Sequence, residues 1–146
     1  MFATTDPRQD VLERTRRDAH PMCVVCGRSS DCGLGLRFRV LGDGSVSADF
    51  RCNCDHQGYE GVLHGGVISS LLDGAMTNCL FASGVTAVTA ELKVRFRHPV
   101  DLDEPMSVRA WQTRSQSPLH VLSAEIVQAG QVRATAAGKF MERPQR

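Results

Sequence analysis

The sequence predicts an α+β fold in which an antiparallel sheet wraps around one long helix. Three observations carry that prediction. Between Gly66 and Phe81 the apolar residues return with the period of a helix. After Gly84 the period falls to two and stays there through four strand patterns. Ahead of the helix, "LRFRVLGDGSVSADF" reads as a hairpin, because Leu36, Phe38 and Val40 alternate with Arg37 and Arg39 and "GDG" supplies the turn.

Taken in order, the elements begin with a short helix that Asp6 caps, that Pro7 suits at its first position and that Pro21 ends. Its apolar face, Val11 and Leu12, is thin, so a place on the surface of the fold is expected. The hairpin follows, and then the long helix. On a helical wheel Val67, Ile68, Leu71, Leu72, Ala75, Met76 and Cys79 cover one side, while Gly66, Ser69, Ser70, Asp73 and Thr77 share the other. A water-facing side would carry Lys, Glu and Arg. Small residues around one acid predict that both sides are covered. Gly74 costs about 1 kcal/mol relative to Ala in a helix interior, which fits a close approach there by another backbone or a ligand. The strand patterns are Val88 to Phe96, Met106 to Gln112, Val121 to Gln128 and Val132 to Met141, the last two joined at "AGQ". Residues 1–34 read as a helix and cysteine-bearing lead-in, and 35–146 as the main body of a single domain.

A chain of 146 residues buries about two thirds of its unfolded surface without staples. The net charge of +1 lacks the basic field of a nucleic-acid binder. The longest uncharged run is broken by Asp73 and rich in Ser, Thr and Gly, so no membrane span is expected. The first twenty residues are charged throughout, without the apolar core of a signal peptide, and a cytoplasmic location is the expectation. Reduced thiols follow from that. Cys23, Cys26, Cys52 and Cys54 offer four thiolates to a zinc ion, but the second pair is C-x-C and the gap between pairs is long. Packing or a redox-labile cluster is the plainer reading, with no metal and no cofactor expected.

The stretch "GVLHGGVISSLLDGAM" carries the chemistry. From Gly65 to Ala90 the only strongly ionisable side chain is Asp73, and an isolated carboxylate in apolar surroundings is costly unless it works. Burial raises the pKa of such a group towards that of a useful base. Read alone, "HGG" is a capping histidine with a tight entry turn. Read as G-x-x-HGG-x(6)-D after a hairpin and before "TAELKVRFRHPV", it resembles the hotdog-fold acyl-CoA thioesterases, and most closely the phenylacetate-degradation, PaaI-like group. The upstream "CVVCG…DCGLGLRF" is similar to the lead-in of many members.

The resemblance implies a thioester hydrolase in which Asp73 is nucleophile or general base. The Gly65 amide then polarises the carbonyl, His64 orients it, and Thr89 holds the acid or the water. Gly66, with Gln57 and Tyr59 in the preceding loop, is assigned to substrate, and Arg95 and Arg97, expected on the same strand face as Thr89, to coenzyme A phosphates. The substrate is an acyl-CoA or acyl-carrier thioester. Two positions depart from relatives: Gly58 stands where some have asparagine, and Gly74 where many have glutamate. A non-catalytic acyl-CoA-binding or regulatory protein on the same fold is the alternative function. Gly65 and Asp73 are eight residues apart, about 12 Å along one helix, whereas reacting groups meet within about 3 Å. The enzyme reading therefore requires a homodimer, or a dimer of dimers, with sites shared between chains.

Overall fold

The computed structural model describes residues 6–27 and 33–143; Cys32 of the lead-in lies outside them. Helix α1 (Pro7–Ala19) is followed by strands β1 (Arg39–Val40) and β2 (Val46–Arg51), a single 3-10 turn (Cys54–His56), helix α2 (Gly65–Phe81), and strands β3 (Ala87–Phe96), β4 (Pro105–Gln116), β5 (Leu119–Gln128) and β6 (Gln131–Glu142). One six-stranded antiparallel sheet results, in the order β1-β2-β4-β5-β6-β3. The expected sequence of hairpin, long helix and four strands is present. β1 is shorter than its alternation suggests, although Leu36 and Phe38 before it still point into the core.

Each central strand turns alternate residues onto α2: Met106, Val108 and Ala110 from β4; Leu122, Ala124 and Ile126 from β5; Ala134, Ala136 and Phe140 from β6. They meet Ile68, Leu71, Leu72, Ala75, Met76, Cys79 and Leu80. Many of the sheet positions are Ala, and the inward position of β6 between Ala136 and Phe140 is Gly138, so the helix sits close. A Cβ on Gly138 would lie 2.7 Å from Phe140 Cε2 and 3.1 Å from Met76 Sδ. The β5–β6 turn places Ala129 and Gly130 at φ 51° and 72°, the left-handed pair of a tight two-residue hairpin.

The lead-in covers the polar side of α2 only in its second half, for Gly66 is exposed and Ser69, Ser70 and Asp73 are half-buried. Gly74, Thr77 and Asn78 are buried, and a Cβ on Gly74 would meet Val25 Cγ1 at 2.6 Å. The close approach that Gly74 signals is thus a side chain of the lead-in. Helix α1 lies alongside and contributes Leu12, fully buried, and Arg16, 6% exposed. It is more deeply keyed into the fold than its thin apolar face predicts.

β3 is an edge strand, and its alternation is broken. A bulge between Thr89 and Glu91 shifts the register, so Thr89 pairs with inward-facing Phe140 while Leu92, Val94 and Phe96 pair with Gly138, Ala136 and Ala134. Glu91, Lys93 and Arg95 pair with Lys139, Ala137 and Thr135 on the outer face. No helix of the described residues is long and apolar enough to cross a membrane.

Candidate active site

The start of α2 is built by backbone requirements. His64 is its N-cap, with φ −62° and ψ 135°, and its Nδ1 accepts the Gly66 amide at 2.8 Å. The imidazole therefore caps the helix, as the bland reading of "HGG" expects. The neighbouring Gly65 amide makes no hydrogen bond among the described residues. It is an orphan donor at the positive end of the helix dipole, with the Phe96 ring beside it: a Cβ on Gly65 would stand 3.5 Å from Phe96 Cε1. The loop ahead is packed against the cap. A Cβ on Gly58 would come 3.2 Å from His64 Cα, a tight approach to the cap.

Two turns along, Asp73 is half-buried, and the Thr89 hydroxyl donates to its Oδ1 at 2.6 Å. Desolvation pushes its carboxyl above the ordinary aspartate range, and the Thr89 hydrogen bond acts in the opposite direction. A raised value with one oxygen held and the other unassigned suits a group that takes up a proton. Between the two centres, Ser69 and Ser70 turn their hydroxyls back onto the Gly65 and Gly66 carbonyls, both at 2.9 Å. That leaves the face of α2 smooth and uncharged.

The structure thus places Asp73 with Thr89, and His64 with Gly65 and Gly66, as two clusters at separate levels along α2. Gln57 sits in the preceding loop, bridged to Leu63, with Oε1 accepting the Gly61 amide at 3.3 Å. Tyr59 stands 88% exposed at the tip of that loop. Arg95 does not share Thr89's face, contrary to simple alternation, because the bulge reverses the strand between them. With Lys93, Arg97 and Thr135 it lines a shallow hollow of about 260 Å³ that also reaches Val94 and Ala136.

A larger cleft, about 580 Å³, opens beside the first turns of α2 and is lined among others by Val24, Phe50, Asn53, His56, Val67 and Ser70. Its polar members were not singled out from the sequence. Asn53 and His56 form a reciprocal capping pair, in which Asn53 Oδ1 accepts the Asp55 amide and His56 Nδ1 accepts the Asn53 amide. The residue types in "NCDH" are the signal that marks such a turn. The four-cysteine set is split: Cys52 is buried with its Sγ 3.9 Å from Met106 Sδ, and Cys54 is exposed.

The sequence pattern of the thioesterase superfamily matches residues 60–135, just over half of the 146 residues and the span that holds both clusters. The chain belongs to the thioesterase superfamily. Its reaction class is that of a thioester hydrolase, and its α+β architecture is the hotdog fold of that family. Among solved structures it is similar to a thioesterase related to phenylacetic acid degradation from Ralstonia eutropha, at 24% identity and TM-score 0.74 over 90% of this chain and 98% of that one. The Escherichia coli PaaI protein of the phenylacetic acid degradation operon is 17% identical with TM-score 0.70, over 92% of each chain. A thioesterase protein from Streptococcus pneumoniae, solved with coenzyme A, is 19% identical with TM-score 0.70 over 76% of this chain and 88% of that one. A search of curated proteins gave no match.

Proposed function

We propose that this thioesterase hydrolyses acyl-coenzyme A thioesters at two equivalent sites, each joining the Gly65 end of one chain to Asp73 of a second copy. One observation carries the reading: the two clusters lie at opposite ends of the same edge strand. Phe96, at the end of β3, stands beside Gly65, whereas Thr89, near its start, holds Asp73. If two β3 edges pair antiparallel about a two-fold axis, the Phe96 end of one strand faces the Thr89 end of the other. Each free amide then meets a foreign carboxylate, and the gap of about 12 Å within one helix ceases to matter. Exposed Val88 and Phe96 on this edge are consistent with such a partner.

In this site the Gly65 N–H binds the thioester oxygen and stabilises the negative charge that develops on it. Asp73 takes a proton from water as the hydroxyl attacks the carbonyl carbon. Collapse of the tetrahedral intermediate breaks the C–S bond, and the proton held by Asp73 passes to the departing thiolate. The products are a carboxylic acid and free coenzyme A. His64 keeps the helix mouth open, and Thr89 fixes which carboxylate oxygen faces the water. Coenzyme A as leaving group is supported by the similar S. pneumoniae structure with coenzyme A and the Streptococcus mutans structure bound to acetyl-CoA. Lys93, Arg95 and Arg97 supply cations for its phosphates on the outer sheet face.

The test is release of free thiol from a panel of acyl-CoAs, short aliphatic to aryl. Asp73→Asn is expected to lower kcat by about 10²–10⁴-fold, the usual worth of a general base, on every substrate the unaltered protein accepts. Turnover equal to that of the unaltered protein would overturn the assignment.

A further inference from the structure

The lead-in holds a cluster that thioester hydrolysis leaves unused. Ligand atoms of His20, Cys23 and Cys26 all lie within 4.8 Å of one another, and Cys26 Sγ is 3.9 Å from His20 Nδ1. Bond lengths of about 2.3 Å to sulfur and about 2.0 Å to nitrogen in a tetrahedral zinc site set such atoms about 3.5–3.8 Å apart. The cluster therefore needs only a small contraction to surround an ion.

The turn that carries the two thiols is already shaped. Gly27 N–H donates to Cys23 O at 2.8 Å, and Val25 N–H donates to Cys23 Sγ at 3.4 Å. A Cβ on Gly27 would fall 2.4 Å from Cys23 N, so only glycine closes this turn. His20 is fixed as well. Its amide bonds Arg16 O at 2.7 Å, and its ring stands edge-on to Phe81 with centroids 5.1 Å apart. Arg16 Nη1 donates to Cys26 O at 3.3 Å. The three donors thus rest on the end of α1, on the thiol turn and, through both, on α2.

Two further observations bear on an ion. Buried Asn78, a neighbour of Cys26, donates through Nδ2 to Gly74 O at 2.8 Å, but its Oδ1 has no partner among the described residues. A buried acceptor without a partner calls for an ordered water or an ion beside it. In addition, a cleft of about 340 Å³ lined by Ala19, His20, Pro21, Met22 and Cys23 gives solvent access to the cluster. Two thiolates and a neutral imidazole balance a divalent ion, and soft sulfur donors favour zinc over magnesium or calcium.

We propose that His20, Cys23 and Cys26 bind one zinc ion, with water from the adjoining cleft as fourth ligand, and that the ion fastens the lead-in to α2 beside Asp73. The fastening runs through Val25, which lies between the two cysteines and rests on Gly74. The site is independent of which thioester the enzyme cleaves.

Full-length protein, purified reduced in zinc-containing buffer, is analysed for bound zinc by mass spectrometry. After chelation it is titrated with cobalt(II), read by the thiolate-to-cobalt charge-transfer band. About one equivalent of zinc per chain and a charge-transfer band are expected. In Cys23→Ser and His20→Asn, at half-exposed positions that spare the buried Cys26, both signals should drop at least tenfold with unchanged circular dichroism. No zinc and no cobalt band in the reduced protein would overturn the proposal, as would full zinc content in either variant. A Cys23–Cys26 disulfide formed with zinc present would overturn it too, in favour of a redox pair.

Discussion

Asp73 is defined by what surrounds it. Half-buried on a helix face otherwise made of Gly, Ser and Thr, it is pushed towards protonation mainly by desolvation and pulled back mainly by the Thr89 hydroxyl at 2.6 Å. Smaller opposing influences come from Cys23, which raises its pKa, and His20, which lowers it. A base works only above its own pKa, so activity should rise as pH climbs through that value. Removing the hydroxyl lets desolvation dominate. In Thr89→Val the acid limb of the kcat profile should therefore move to higher pH, and turnover below neutrality should fall, while Thr89→Ser restores both. A pH–rate series on the three proteins checks this, and an unmoved limb in the valine variant would remove Thr89 from the mechanism. Asp73 was legible in the sequence because isolation is a local property, visible as one carboxylate in a long uncharged run. The partnership with Thr89 was not derivable from periodicity, since it depends on an extra residue in β3 that alternation cannot announce. The same extra residue explains why Arg95 lies on the opposite face from Thr89.

Among the elements, α2 and the three strands beneath it show how a helix is seated by what the sheet lacks. Ala110, Ala124, Ala134, Ala136 and Gly138 give the helix a shallow trough, and larger side chains fill in around it. Gly138→Ala introduces a carbon 2.7 Å from the Phe140 ring, whose 0% exposure leaves nowhere to retreat. Overpacking of this sort costs about 1–3 kcal/mol, and urea unfolding is expected to register a loss in that range with the denaturant slope unchanged. These elements were readable because helix and strand periods are properties of adjacent residues. The covering of the polar side of α2 was readable only as a need. Gly74 announced a close neighbour, but contact with Val25 joins residues far apart in the chain, and no short window of sequence reports it.

For the molecule as a whole, the proposed mechanism requires two copies, and this allows a test by mixing. Gly65 occupies the first helical position, where proline is tolerated, and His64 at ψ 135° has the extended backbone that precedes proline. Gly65→Pro therefore deletes the one N–H assigned to the oxyanion while sparing the helix. Homodimers of Gly65→Pro and of Asp73→Asn should both be inactive. Refolded together in equal amounts, half the dimers pair unlike chains and each has one intact site, so about a quarter of full activity should return. Absence of recovery, with dimers shown by light scattering, would place both groups of a working site in one chain. The expectation of a second copy comes from simple arithmetic on helix rise. The β3 edge proposed to join the copies was not legible in the sequence, because strand order is set by long-range pairing across the whole sheet.

The bulge in β3 has one more consequence. It works like a vernier: the strand is in one phase up to Thr89 and in the other from Glu91, so its opening residues and its remainder obey different inside–outside rules. Trimming a single residue at Ala90 would put the two halves back in step. The lysine–arginine row and the apolar row would then have to trade places, or the threonine would swing away from the carboxylate. Either outcome dismantles one half of the strand, which makes that one spare residue as exacting a requirement as any side chain of the proposed site.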